Sequence, residues 1–269
     1  MDVPLNLPLP DPREQARLDR ARFLRGLLAS AGFITLLWWI KLAETWLGAS
    51  FSALGIFPQS ARGLVGILAA PLLHGSVGHL IHNTLPLLVL GTLALAIYPR
   101  AALRSLLLIW LGSGLLVWVI GRPSFHLGAS GLSHGLMFFL FLLGILRRDR
   151  PAIAAAMIAF FLYGGMLLTI LPGEADVSWE AHLGGAVFGA LAALLWFRRD
   201  PPPARKRYSW EDEEQVEPLE EALAAEERGM YEPPSPTDVP VLWVRPPPAA
   251  SGSADIIPFP RNRPPRPDA

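Results

Sequence analysis

The sequence predicts an all-α membrane protein: a bundle of six transmembrane helices followed by a disordered, Pro-rich C-terminal tail. Three observations carry that prediction. The chain has 269 residues, of which 52% are hydrophobic and only 17% charged, too apolar and too charge-poor for a soluble domain of this size. Apolar runs of the length that crosses a bilayer, roughly 17–25 residues, recur at about 27–47, 80–98, 102–121, 129–146, 151–171 and 181–197. Basic residues gather at alternate ends of these runs, so all six accept one consistent orientation.

The first run follows Arg13, Arg17, Arg20, Arg22 and Arg25. Its flanks lack a short apolar core with a cleavage site, so it reads as a retained anchor. Arg100 and Arg104 follow the second run, Arg147, Arg148 and Arg150 the fourth, and Arg198, Arg199, Arg205, Lys206 and Arg207 the sixth. These ends are expected in the cytoplasm, with both termini, as in a multi-pass protein of a bacterial inner membrane. The opposite connections hold only Arg62, Arg122 and the acidic Glu174, Asp176 and Glu180. Residues 48–79 between the first two runs are rich in Gly, Ala and Leu, which suits a segment lying in the interface or re-entering the outer leaflet with its backbone bonded to protein. Beyond about residue 200, proline density and charge prevent a packed core, leaving disorder with one short helix around 219–228. The expected organisation is a cytoplasmic segment 1–25, a membrane domain 26–198 and a cytoplasmic tail 199–269. The 23 basic and 23 acidic residues cancel, so no basic surface points to nucleic acid. The absence of cysteine excludes thiol catalysis and disulfides.

Three polar clusters break the apolar pattern: His79-Leu-Ile-His82-Asn83, Gly128-Ala-Ser130-Gly131 and Ala181-His182-Leu-Gly-Gly185. Polar and ionisable groups are costly inside a membrane and mark a functional site. The topology puts all three at the outer ends of the second, fourth and sixth runs. A serine is a weak nucleophile without an adjacent base, and His182 is the candidate base for Ser130. Gly131-xxx-Gly135 follows the serine and Gly185-xxx-Gly189 follows the histidine, and small residues four apart let membrane helices meet backbone to backbone. His79 and Asn83, four apart and so on one helical face, together with the Ser130 backbone N–H, supply donors for a developing oxyanion. No acidic residue lies within the runs near this layer, so a Ser–His dyad without a carboxylate is expected, with Glu180 pointing elsewhere or staying in the loop. Hydrolysis at this depth needs a cavity for water, with His74, His82, Ser133 and His134 as candidates to hydrate it.

His74-xxxx-His79-xxx-Asn83, Gly128-Ala-Ser130-Gly131 and Ala181-His182-Leu-Gly-Gly185-xxx-Gly189, in this order on the second, fourth and sixth of six runs, resemble the rhomboid intramembrane serine proteases over roughly residues 25–197. The resemblance implies Ser130 as nucleophile, His182 as general base, His79 and Asn83 as oxyanion donors and a structural role for His74. It also implies cleavage of transmembrane protein substrates within the bilayer near the outer face, with no metal or cofactor. Gly128, Gly131, His134 and Gly185 are the supporting positions. One departure is His134, where the family often carries an aromatic residue that stacks on the catalytic histidine. It can stack on His182 or compete for the serine proton. Two other classes stay open: an inactive rhomboid-like binder of transmembrane helices, and a small transporter whose clustered histidines line a cavity or bind a divalent metal.

Overall fold

A computed structural model describes residues 11–174, 176–201, 221–227 and 230. Its first long helix, α1 (Pro12–Trp46), starts well ahead of the apolar run near 27. The reason is local: Asp11 caps it by accepting the Arg13 N–H at 2.8 Å, and Pro12 sits where a missing N–H costs nothing. At 35 residues and about 1.5 Å per residue, α1 is longer than a hydrocarbon core of about 30 Å.

The connection to the next long helix is built of short turns around α2 (Leu64–Ala69). Its backbone polar groups are answered by protein. Ile56 and His126 form an antiparallel bridge, Gln59 N–H donates to the Trp118 carbonyl at 2.9 Å, and the Trp118 indole N–H donates to the Ser60 carbonyl at 2.9 Å. Then come α3 (Val77–Ile97), α4 (Pro99–Ile120), α5 (Ser130–Arg147), α6 (Arg150–Tyr163) and α7 (Trp179–Trp196). Ser76, Asp149 and Ser178 cap α3, α6 and α7, and Asp200 returns from beyond α7 to accept the Arg100 and Ala101 N–H groups that open α4.

Among the described residues, five helices are long and apolar enough to cross a membrane: α1, α3, α4, α5 and α6 with its continuation to Ile170. The 18-residue α7 is not among those five, and its first turn holds Glu180 and His182. Beyond Tyr163 the chain tightens into a 3-10 turn over Gly164–Ile170 in which no residue is buried.

Helix α5 is the hub. Its Leu136, Phe139, Leu140 and Leu143 pack with Leu90 and Ala94 of α3, Ala152, Ala155 and Ala159 of α6, and Ala192 and Ala193 of α7. A second cluster joins Leu37 of α1, Leu80 of α3, Ile109 of α4 and Leu132 of α5. Alanine-lined faces let backbones approach, which is how helices associate where lipid removes the hydrophobic drive. Large apolar side chains such as Trp39, Leu103, Phe161 and Leu168 point outward, as a lipid-facing surface requires. Of the region beyond residue 201, residues 221–227 are helical, within the stretch where a short helix is expected. The disorder expected of the tail concerns residues otherwise outside the described ones.

Candidate active site

Ser130 is the first residue of α5, delivered by a turn that only glycine makes easily: Gly128 has φ +110°. That turn is held by the Gly128 N–H donating to the Ala70 carbonyl at 2.9 Å and by the Ile56–His126 bridge. Because Ser130 opens the helix, its own N–H and that of Gly131 have no helix carbonyl behind them, whereas the Leu132 N–H already donates to the Ala129 carbonyl at 3.0 Å. His79 is the third residue of α3, its N–H held by the Ser76 hydroxyl at 3.0 Å. Its ring lies against Gly128 so closely that a Cβ there would sit 2.6 Å from Cε1. One turn on, the buried Asn83 donates one amide hydrogen to the His79 carbonyl at 2.9 Å. A second hydrogen of that amide remains for another acceptor.

His182 lies in the first turn of α7, which crosses α5 where the two glycine repeats meet. A Cβ on Gly185 would fall on the Gly131 carbonyl oxygen, one on Gly189 on the Gly135 carbonyl oxygen, and one on Gly131 would lie 3.0 Å from the Ala181 carbonyl. The histidine Nδ1 is 3.0 Å from the Thr169 carbonyl oxygen. A carbonyl only accepts, so Nδ1 carries the hydrogen and Nε2 keeps the lone pair. The His182 ring stacks on His134 with centroids 3.8 Å apart and planes 12° apart. His134 spends both nitrogens elsewhere: Nδ1 lies 2.7 Å from the Ser130 carbonyl oxygen and Nε2 lies 2.9 Å from the Thr169 hydroxyl. Of the two behaviours open to it, the ring therefore stacks.

Ser130, His182, His79, Asn83, His82 and His134 all line one cavity of about 790 Å³. Among the described residues, no hydrogen bond joins the Ser130 hydroxyl to the His182 ring. Two expected cavity liners are not there. Ser133 is fully buried with no partner for its hydroxyl, because it sits on the packed face of α5. His74 is buried outside the cavity, edge-on to His79 at 5.2 Å. Burial, with His79 and Lys41 nearby, pushes His74 down to about 4. The ring therefore stays neutral, with Nε2 3.5 Å from the Ala129 N–H.

Glu180 does not stay in the loop. It is the second residue of α7, wholly buried, and its carboxylate faces Arg122 rather than His182. Arg122 Nε donates to Oε1 at 2.8 Å, and Nη2 to the Val177 carbonyl at 2.6 Å. His126 completes this knot: Nδ1 is 2.6 Å from the Ser178 hydroxyl and Nε2 3.0 Å from the Arg122 carbonyl oxygen. On the other side, Lys41 Nζ donates to Glu44 at 2.7 Å and to the His74 carbonyl at 2.9 Å, while Glu44 accepts the Phe51 N–H at 2.8 Å. Sequence reasoning missed Thr169, Lys41 and Glu44. The signal for each was a polar side chain inside an apolar run, the same rule that singled out the histidines.

Residues 61–199 match the family model described as the Rhomboid domain. The chain is also similar to uncharacterized proteins of Mycobacterium tuberculosis and Mycobacterium bovis. Each is 38% identical over 185 residues, which make up 65% of this chain and 77% of the relative. An uncharacterized protein of Mycobacterium leprae is 35% identical over 185 residues, 65% of this chain and 73% of its own.

Proposed function

The chain belongs to the rhomboid family, whose members are generally intramembrane serine proteases, and from that premise we propose that it cuts peptide bonds in transmembrane segments with a Ser130–His182 dyad. The observation that carries this reading is the single cavity lined by Ser130, His182, His79 and Asn83, with the His182 lone pair left on Nε2 by the Thr169 carbonyl. In the proposed reaction His182 Nε2 takes the Ser130 proton as Oγ attacks the substrate carbonyl. The negative charge that forms on the carbonyl oxygen meets the Asn83 amide, the His79 ring N–H and the Ser130 backbone N–H at the start of α5. His182 then gives its proton to the departing amine, and water drawn from the cavity hydrolyses the acyl-serine by the reverse roles.

No carboxylate orients the base in this scheme. A backbone carbonyl fixes the tautomer, which is the part of the aspartate's task that a neutral acceptor can perform. Substrates must present an extended backbone, since carbonyls in an intact helix are already bonded, so segments that unwind at Gly, Pro or polar residues should be cut first. The basic ends of the helices support placing the cavity at the outer face with both termini inside. A fluorophosphonate probe tests the whole reading. The wild-type protein in membranes should be labelled, and Ser130→Ala and His182→Ala should each abolish labelling and cleavage of a transmembrane substrate while expression persists. An unlabelled wild type would instead favour a helix-binding protein without catalysis.

A further inference from the structure

We infer that Thr169 and His134 form a positioning pair that holds His182 in its proton-accepting orientation, with the Thr169 hydroxyl as the link. The inference rests on the proposed dyad and assigns how its base is kept in place. The starting point is the segment that carries Thr169. Within Gly164–Ile170 no residue is buried, and Leu168 is 79% exposed. Met166 is the residue of this turn that packs against the main core cluster, so the turn is anchored by few apolar contacts and the polar contacts of Thr169 add to them.

Residue 169 makes two of them, one to each stacked ring. Its carbonyl oxygen holds His182 Nδ1 at 3.0 Å and its hydroxyl lies 2.9 Å from His134 Nε2. Proton accounting decides the direction of the second. His134 Nδ1 faces the Ser130 carbonyl oxygen at 2.7 Å, which can only accept, so Nδ1 bears the hydrogen. In the neutral ring Nε2 is then an acceptor, and the threonine hydroxyl must donate to it. The same hydroxyl also stands 3.0 Å from the Met166 carbonyl. It has one proton, so these two acceptors compete, and only donation to His134 ties the turn to α5.

The result is a chain through the site, Ser130 carbonyl, His134 ring, Thr169 hydroxyl, Thr169 carbonyl, His182 ring, and the stack of His182 on His134 closes it between the two rings. Among the described residues, each nitrogen of these two rings that is not needed for chemistry has a partner, and the one that is needed, His182 Nε2, has none. An aromatic residue without ring nitrogens at position 134 would give the stack but neither bond. A histidine there gains a second contact only if something receives it, and in the 3-10 turn after α6 that something is a threonine.

The test uses the full-length protein in membranes and measures both the rate of fluorophosphonate labelling and the turnover of a transmembrane substrate. Thr169→Val replaces the hydroxyl by a methyl of nearly the same size. It should slow both rates about tenfold, the kinetic equivalent of one hydrogen bond's net worth, with the loss in kcat rather than KM. Thr169→Ser keeps the donor and should recover most of that loss. His134→Phe keeps a stacking ring and should also cost about tenfold. In the His134→Phe background, Thr169→Val should add nothing further, because its partner is already gone. Equal rates for Thr169→Val and wild type would overturn the inference, as would a Thr169→Val loss of the same size in both backgrounds. If Thr169→Val does not accumulate, His134→Phe alone decides: a variant as fast as wild type rejects the pair. A wild type that is not labelled at all would sink the dyad itself, which is a different outcome.

Discussion

At the scale of single residues, the site separates groups facing the cavity from groups that hold the walls. Asn83 belongs to the first set, with one amide hydrogen on its own helix and one left over. Asn83→Ala should lower substrate turnover by about a hundredfold, the usual loss for one oxyanion donor, with KM nearly unchanged. Steady-state kinetics on a transmembrane substrate checks this. The Arg122–Glu180 pair joins the two sets, because Arg122 also lines the cavity, and its two ends are unequal: Glu180 is fully buried while the Arg122 side chain is 41% exposed. Removing the arginine side chain takes the counter-charge from a buried carboxylate and leaves it with the residue 122 N–H and the Ser178 hydroxyl, whereas removing the glutamate leaves a guanidinium that water can still reach. Arg122→Leu should therefore cost about 3 kcal/mol of stability, and Glu180→Gln should cost clearly less. Thermal unfolding of the two variants in one detergent gives the comparison, and the reverse order would contradict it.

At the scale of elements, the proposed reactive groups sit at the starts of helices. Ser130 opens α5, His79 lies in the first turn of α3 and His182 in the first turn of α7, so each is aimed by a cap or a tight turn and set by packing below it. The α5–α7 crossing is the critical contact, because glycine carbonyls face glycine Cα atoms there. Gly185→Ala would push a methyl onto the Gly131 carbonyl, which is backbone and cannot rotate away. The expected cost is about 1–3 kcal/mol, and since the displaced helix carries His182, labelling of Ser130 should fall more than stability does. A thermal melt alongside probe labelling distinguishes the two effects. The spacing of these glycines made the crossing legible in the sequence. The start of α1 was not, because hydropathy locates apolar runs and is blind to a charged helix that extends past them.

At the scale of the whole molecule, the cavity lined by Ser130 and His182 lies at one end of the bundle, and only the placement of charge indicates which side of the membrane that end faces. Because the chain has no cysteine, single cysteines can report it directly. Ser124→Cys, beside the cavity, should react with a membrane-impermeant maleimide added outside intact cells, and Arg104→Cys should react only after lysis. The opposite pattern would invert the proposed topology.

Composition and spacing settled what depends on the chain taken piece by piece. An apolar run of a given length forms a helix in a bilayer, a glycine repeat makes a face that packs closely, and a histidine in such a run has to be there for a reason. Thr169 shows what they could not settle. Its importance comes from touching two rings that lie thirteen and thirty-five positions away in sequence. The turn of Glu180 toward Arg122, the exclusion of Ser133 and His74 from the cavity, and the choice of a carbonyl to orient His182 are of the same kind. Each depends on which group ends up at hydrogen-bonding distance when separate helices pack, and that distance is a property of the assembled fold rather than of any one segment.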